Sequence, residues 1–207
     1  MKTIFSTLLV SAVAVLVAGL TFVYSGIYDV SAKDPHWPIS NWLMKTTMHA
    51  SVERRAGNVV VPEFTDEMKR AGVNDFEAMC VSCHGSPAKE PGAMGQGLNP
   101  AAPRLSHSAE HLSAAELYWI TKNGIKMTGM PAWGASHGDT ELWPVVAFIT
   151  TLPEFDEASY RAYLESARGV GHHGTHHELP ATEPAQEEPG SEAKEESQEH
   201  DHSSHEH

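Results

Sequence analysis

The chain has 207 residues, 41% of them hydrophobic, and a formal net charge of −13 at pH 7. Its length exceeds what one small domain needs, and the shortage of basic residues argues against a nucleic-acid partner. The charge is uneven, because residues 172–207 hold ten acidic residues and one basic residue, a net charge of −9. The rest of the chain is therefore only mildly acidic.

An apolar segment without charged side chains, residues 4–24, comes first. This length fits a bilayer span, which needs ~20 apolar residues, better than the ~7–15 apolar residues of a signal-peptide core. Lys2 precedes the segment and Asp29 follows it, so the positive-inside rule keeps the N-terminus in the cytoplasm. Residues 1–25 are therefore predicted to be a transmembrane anchor, with a signal peptide as the alternative. Both place the rest of the chain outside the cytoplasm.

Residues 26–60 are predicted to form a juxtamembrane spacer that contains one helix. Pro38 disfavours helix before it, and apolar residues at helical spacing predict a helix over residues 39–55. Trp37 and Trp42 are expected at the lipid interface, where Trp is enriched. The alternative is a helix that docks on a membrane partner.

The most specific motif is Cys80-Val81-Ser82-Cys83-His84, the C-x-x-C-H attachment pattern of a c-type haem. Two thiols three positions apart lie on one face of a helical turn, where each can form a thioether to one porphyrin vinyl group. The next residue, His84, then offers an imidazole to the iron. We therefore predict one haem c, bound covalently through Cys80 and Cys83.

The same two cysteines admit other interpretations. A zinc site needs a second ligand pair, but Cys80 and Cys83 are the only cysteines in the chain. A thioredoxin-like redox pair needs a βαβ context, whereas the flanking sequence predicts helix and loop. Haem attachment is therefore the favoured interpretation.

Residues 61–155 are predicted to form the compact domain around this motif. A first helix starts near residue 66, and residues 84–108 are rich in Gly and Pro and predict a loop. Ser113 and Glu116 have the spacing of a capping box, and the helix they begin should end at Gly124 in a left-handed conformation.

Two further helices are predicted near the end of this domain and beyond it. One spans residues 140–152, with Pro144 in its first turn or just past it. The other lies within residues 156–168, with Tyr160, Tyr163 and Leu164 on one face.

Three methionines follow the haem motif and are candidates for a second axial ligand: Met94, Met127 and Met130. A thioether opposite His84 would give a six-coordinate iron with a raised potential. Met130 is favoured because it lies in the sequence Gly129-Met130-Pro131, where glycine permits a close backbone approach and proline stiffens the loop. Met127 is the second choice, and the alternative is that Met130 only packs in the core.

Residues 66–152 resemble the class I, monohaem cytochromes c of bacteria. Gly72 and Phe76 stand before Cys80 where that family places a glycine and an aromatic residue of its first helix. Phe148 resembles the aromatic residue of the family's last helix, which crosses the first. The segment Asn123-Gly124-Ile125 followed by Gly129-Met130-Pro131 is also typical of the family. The anchor, residues 34–55 and the C-terminal segment lie outside the resemblance.

The resemblance implies an all-α cytochrome c fold, with three to four helices wrapped around one covalent haem. Pro103-Arg104-Leu105 resembles the family loop whose proline carbonyl accepts a hydrogen bond from the haem histidine, so Pro103 would orient His84. His84 and Met130 would be the axial ligands of the iron. The domain would face the periplasm at the inner membrane of a bacterium.

An iron with both axial positions filled has no open site for a substrate, so we expect an electron carrier rather than an enzyme. It would relay electrons between respiratory partners such as a quinol-oxidising complex, a reductase or an oxidase. One alternative is a haem enzyme or a gas or redox sensor whose methionine ligand dissociates. Another is a metal-handling protein that acts through its C-terminal histidines.

Residues 169–207 are rich in His and Glu, have few large apolar residues, and are predicted to be disordered. Neighbouring imidazoles and carboxylates suit Cu(II), Ni(II) or Zn(II), so this segment is a possible metal-binding tract. The alternative is an acidic, solvated tail. Eight of the fourteen histidines fall in this segment: His172, His173, His176, His177, His200, His202, His205 and His207.

Overall fold

A computed structural model describes residues 2–173 of the chain. Within these residues there are α-helices, two short 3₁₀ turns and no β-strand, which confirms the all-α class. The disorder and metal binding predicted for residues 174–207 lie outside the described residues. The helices are α1 (Lys2–Tyr24), α2 (Pro38–Ala56), α3 (Asp66–Met79), α4 (Val81–His84), α5 (Ala93–Gln96), α6 (Leu105–His111), α7 (Ala114–Asn123), α8 (Asp139–Ile149) and α9 (Glu157–Ser166).

The N-terminal helix α1 is apolar and exposed along its whole length. It has 23 residues, and its most apolar window has a mean hydropathy of 2.3, so by length and composition it could cross a membrane. None of that window is buried by the rest of the chain. These properties fit a membrane anchor.

The centre of the domain is the crossing of α3 and α8. A Cβ atom on Gly72 would lie 1.9 Å from the carbonyl oxygen of Pro144, so only glycine permits this approach. Beside that contact Phe76 and Phe148 are fully buried, with their ring centroids 5.3 Å apart. The first and last helices of the predicted domain therefore cross where the resemblance implies.

Helix α7 has the predicted N-terminal cap. Ser113 Oγ accepts a hydrogen bond from the Glu116 N–H, and Glu116 Oε2 accepts one from the Ser113 N–H. The helix ends at Gly124, whose φ is +64° as expected but whose ψ of −174° is not that of the left-handed helix. This conformation brings Gly124 against the backbone of Met130 and Pro131, where a Cβ atom would clash.

The structure corrects two element boundaries. Residues 84–108, predicted as loop, contain α5 and the start of α6, which are too short to produce an apolar periodicity. The helix predicted over residues 140–152 ends at Ile149, and the chain continues as a 3₁₀ turn, Leu152–Glu154, with proline in its first positions.

Helix α9 and the residues after it pack against α3. Tyr160 is buried, and its hydroxyl donates a hydrogen bond to the Glu77 carboxylate. The Asn74 side-chain amide donates to the carbonyls of Ala167 and Val170, at 2.7 and 2.8 Å. Residues 169–173, with which the predicted disordered segment begins, are thus held on α3 by hydrogen bonds between α3 side chains and their own backbone, which composition does not reveal.

The segment between α1 and α3 also contacts the domain. Helix α2 packs against α7 and buries Val52 and Ala56 near its C-terminus. The Asn99 side chain donates a hydrogen bond to the Asp34 carbonyl at 2.6 Å. At the other end of α2, Trp42 is 61% exposed. The predicted spacer therefore rests on the domain at one end and leaves its apolar N-terminal part uncovered in the described chain.

Candidate functional site

The haem-attachment motif lies on one helical turn that continues α3. The Cys80 N–H donates to the Phe76 carbonyl, and the His84 N–H donates to the Cys80 carbonyl, both at 2.9 Å. Cys80 is buried and Cys83 is half-buried, and neither forms a disulfide. The i and i+3 spacing on a helical turn therefore presents two free thiols on one face, as thioether formation requires.

Burial raises the pKa of the Cys80 thiol to about 12, and the nearby Asp75 and Cys83 contribute to this shift. Because removing a charge from water is costly, the protonated thiol is the stable form in this setting. Cys80 is therefore a neutral thiol in the folded chain.

The orientation of His84 is fixed by a backbone carbonyl. Its Nδ1 atom lies 2.7 Å from the Pro103 oxygen. A carbonyl only accepts hydrogen bonds, so Nδ1 carries the proton and the Nε2 lone pair is left for a metal. Burial lowers the pKa of His84, while the hydrogen bond to Pro103 acts in the opposite direction. The imidazole is thus held neutral, which is its metal-ligating form.

The loop after the motif packs tightly against it. A Cβ atom on Gly95 would lie 2.6 Å from the Cys83 carbonyl oxygen, so α5 approaches the haem motif through a glycine. A cavity of about 280 Å³ borders His84; polar residues such as Arg104 and Glu110 line part of it, and the rest is an apolar wall. That wall includes Phe76, Leu105 and Leu152.

The three candidate methionines differ in exposure. Met94 and Met127 are 72% and 81% exposed, whereas Met130 is half-buried. The loop of Met130 is closed by its own hydrogen bonds, since the Met130 N–H donates to Thr128 Oγ1 and the Ile125 N–H donates to the Met130 carbonyl. Of the three methionines, Met130 therefore has the most fixed surroundings.

These residues fit a covalently bound haem. Two free thiols share one face of a turn, and a neutral imidazole of fixed orientation follows them. Glycines bring the backbone close to the motif and to the Met130 loop. The donor set of thiols, imidazole and thioether is the one that holds haem c.

Sequence reasoning missed Asp75, a buried acid in α3 near the haem motif. Burial raises the pKa of its carboxyl, and a hydrogen bond from the His173 N–H at 2.9 Å acts against that shift. The sequence did contain one indication that Asp75 is buried, because it lies between the apolar Val73 and Phe76 on an amphipathic helix. Its partner lies far along the chain, so the sequence did not indicate what it binds.

Residues 67–149 match the family model described as cytochrome c oxidase, cbb3-type, subunit III. No curated protein and no solved structure matches the chain. The matched segment begins in α3, ends with α8 and includes the haem motif and Met130. Together with the site geometry, the match shows that residues 67–149 form a cytochrome c domain, and such a domain implies haem c. The N-terminal helix of this cytochrome fits membrane anchoring.

Proposed function

We propose that this cytochrome is a membrane-tethered, extracytoplasmic electron carrier with one haem c and His84 and Met130 as axial ligands. The observation that carries the proposal is the oriented imidazole of the motif, together with the exposure of the candidate methionines. His84 is neutral and oriented by Pro103, while Met130 is the one shielded methionine of the three candidates.

Haem, when bound, supplies a one-electron Fe(III)/Fe(II) couple. Cys80 and Cys83 would hold it covalently, and Pro103 would keep the His84 ring from rotating. The short loop between Gly124 and Pro131 would keep the Met130 thioether in place, because its backbone is closed by hydrogen bonds. Fixed ligands move little between oxidation states, which favours rapid electron transfer.

The proposed location and partners follow from the chain outside the site. Helix α1 would remain as an anchor in the inner membrane of a bacterium, with the domain in the periplasm. Because the matched family model describes a subunit of an oxidase, we propose an oxidase as electron acceptor. A quinol-oxidising complex would be the donor, and a reductase is the other acceptor class that suits such a carrier.

Absorption spectra of the matured full-length protein test the proposal. We expect low-spin bands in both redox states and no change when carbon monoxide is added to the reduced protein. A far-red sulfur-to-iron band should disappear in Met130→Ala and persist in the matched control Met127→Ala, whose side chain is exposed.

A high-spin spectrum, or ready carbon monoxide binding by the unmodified protein, would overturn the proposal in favour of a haem enzyme or a gas sensor. Loss of the far-red band in Met127→Ala rather than in Met130→Ala would overturn the ligand assignment alone.

A further inference from the structure

Three histidines from two distant parts of the chain meet beside α3. His137 precedes α8, and His172 and His173 follow α9. One ring nitrogen from each lies within 4.8 Å of the others. We propose that these three imidazoles form a second metal site, separate from the haem, for a late first-row divalent cation such as Zn(II).

The strongest single observation is the state of His173. Its Nε2 atom is buried and has no hydrogen-bond partner among residues 2–173, which the structure describes. A buried imidazole nitrogen without a partner costs free energy, and a cation supplies the missing interaction. The His173 backbone is itself fixed, because its N–H donates to the buried Asp75 carboxylate.

The other two rings also have the surroundings of metal ligands. His172 Nε2 lies 3.2 Å from Glu141 Oε1, the arrangement in which a carboxylate orients a ligating imidazole. His137 Nδ1 lies 2.9 Å from the Ser136 hydroxyl. Each of these rings therefore has a polar neighbour at one of its nitrogens.

The chemistry of the donors selects the class of metal. Imidazole nitrogens suit zinc, copper and nickel, whereas calcium and magnesium prefer oxygen ligands. Nitrogens bound to one zinc at ~2.0–2.1 Å lie roughly 3.4 Å apart in tetrahedral geometry, so from separations of at most 4.8 Å the ring nitrogens need to approach by no more than about 1.4 Å. The His172 side chain is about half-exposed, so a side-chain rotation can supply this approach without a backbone change.

A cation here would link two segments that lie far apart in the chain. His137 packs edge-on against Trp133, close in sequence to Met130, with ring centroids 5.5 Å apart. His172 and His173 belong to the segment that Asn74 holds on α3. Metal binding would therefore clamp the residues after α9 to the loop that follows Met130.

The test must separate this site from the other C-terminal histidines. We would use the full-length, haem-loaded chain with six of those histidines replaced by glutamine: His176, His177, His200, His202, His205 and His207. After removal of metals with EDTA, ZnCl₂ is titrated by calorimetry. We expect one equivalent bound and a rise in Tm on adding zinc.

In the same background, His137→Gln should weaken zinc binding by about 100-fold or more and abolish the rise in Tm. Glu141→Gln should weaken binding by ~10–100-fold, as the loss of an orienting carboxylate does. The matched control His49→Gln, an exposed histidine on α2, should bind like the background chain. An unchanged haem spectrum verifies that each variant is folded.

Zinc-edge X-ray absorption supplies an element-specific readout that the haem iron does not disturb. We expect imidazole nitrogens at ~2.0–2.1 Å in the background chain. No zinc binding by that chain, or binding that His137→Gln leaves unaltered, would overturn the proposal. Neither result bears on the haem ligands, so the electron-carrier proposal stands or fails separately.

Discussion

The two faces of α3 make contacts of opposite kinds. Toward α8 the helix is apolar and approaches closely, with Gly72 under the Pro144 carbonyl and Phe76 against Phe148. Toward α9 and the following residues the helix adds hydrogen bonds from side chains such as Asn74 and Asp75, beside the buried Tyr160 and Ala167. The family model matches residues 67–149, so the contact between α3 and α8 lies within the match. Helix α9 and the residues after it lie beyond the match. One helix thus packs within the matched domain on one side and holds the residues beyond it on the other.

Phe148→Ala should produce the largest loss of stability, because it leaves a cavity in the apolar crossing. Phe148 is fully buried, and such truncations cost ~3–5 kcal/mol. Chemical denaturation of the haem-loaded protein measures the free energy of unfolding. Phe155→Ala is the matched control, since Phe155 is partly exposed and should cost less. An equal loss in both variants would contradict the central role of the crossing.

Gly72→Ala should come next, because its methyl group would overlap the Pro144 carbonyl and force α3 and α8 apart. Overpacking of this kind typically costs ~1–3 kcal/mol. The comparison variant is Gly57→Ala, where the nearest atom to the new methyl group would be at 3.7 Å. Thermal unfolding should show a lowered Tm for the first variant only. A normal Tm in Gly72→Ala would mean that the helices are not as close as described.

Asn74→Ala tests the polar face. It removes two hydrogen bonds to the carbonyls after α9, and at ~0.5–1.5 kcal/mol each the loss should be about 2 kcal/mol. Limited proteolysis should then cleave near residue 170 more readily, while the haem spectrum stays unchanged. Gln96→Ala, which removes an exposed side-chain hydrogen bond, is the control. Cleavage that is no faster than in the control would show that this face does not hold the extension.

The smallest effect concerns pH and Asp75. Burial raises the pKa of its carboxyl above the usual 3.8, so the folded chain holds this proton more tightly than the unfolded chain does. The contribution of Asp75 to the free energy of unfolding is therefore greatest at pH values below 3.8. It falls as the pH rises through the raised pKa of the folded chain. Asp75→Asn, which keeps an acceptor for the His173 N–H, should remove this fall. Chemical denaturation in EDTA at a series of acidic pH values measures the free energy of unfolding of both proteins. If this free energy varies with pH in parallel for the two proteins, the raised pKa of Asp75 is contradicted.

The sequence-based predictions succeeded where the determinants are local. The capping box of Ser113 and Glu116 needs only four consecutive residues, and the haem motif needs one helical turn. The bend at Gly124 was placed correctly, but its ψ angle depends on contact with Met130 and Pro131. Short helices such as α5 were missed because four residues show no periodicity.

By itself, the sequence determined the all-α class, the C-x-x-C-H motif at residues 80–84 and the apolar N-terminal helix, because helical periodicity and motif spacing are properties of neighbouring residues. It also identified Pro103 through a resemblance, and the structure puts its oxygen 2.7 Å from His84. Only the tertiary structure decided which methionine is shielded and that residues 169–173 lie on α3. It alone also brought His137 to His172 and His173. These outcomes depend on contacts between residues far apart in the chain, which no local pattern encodes.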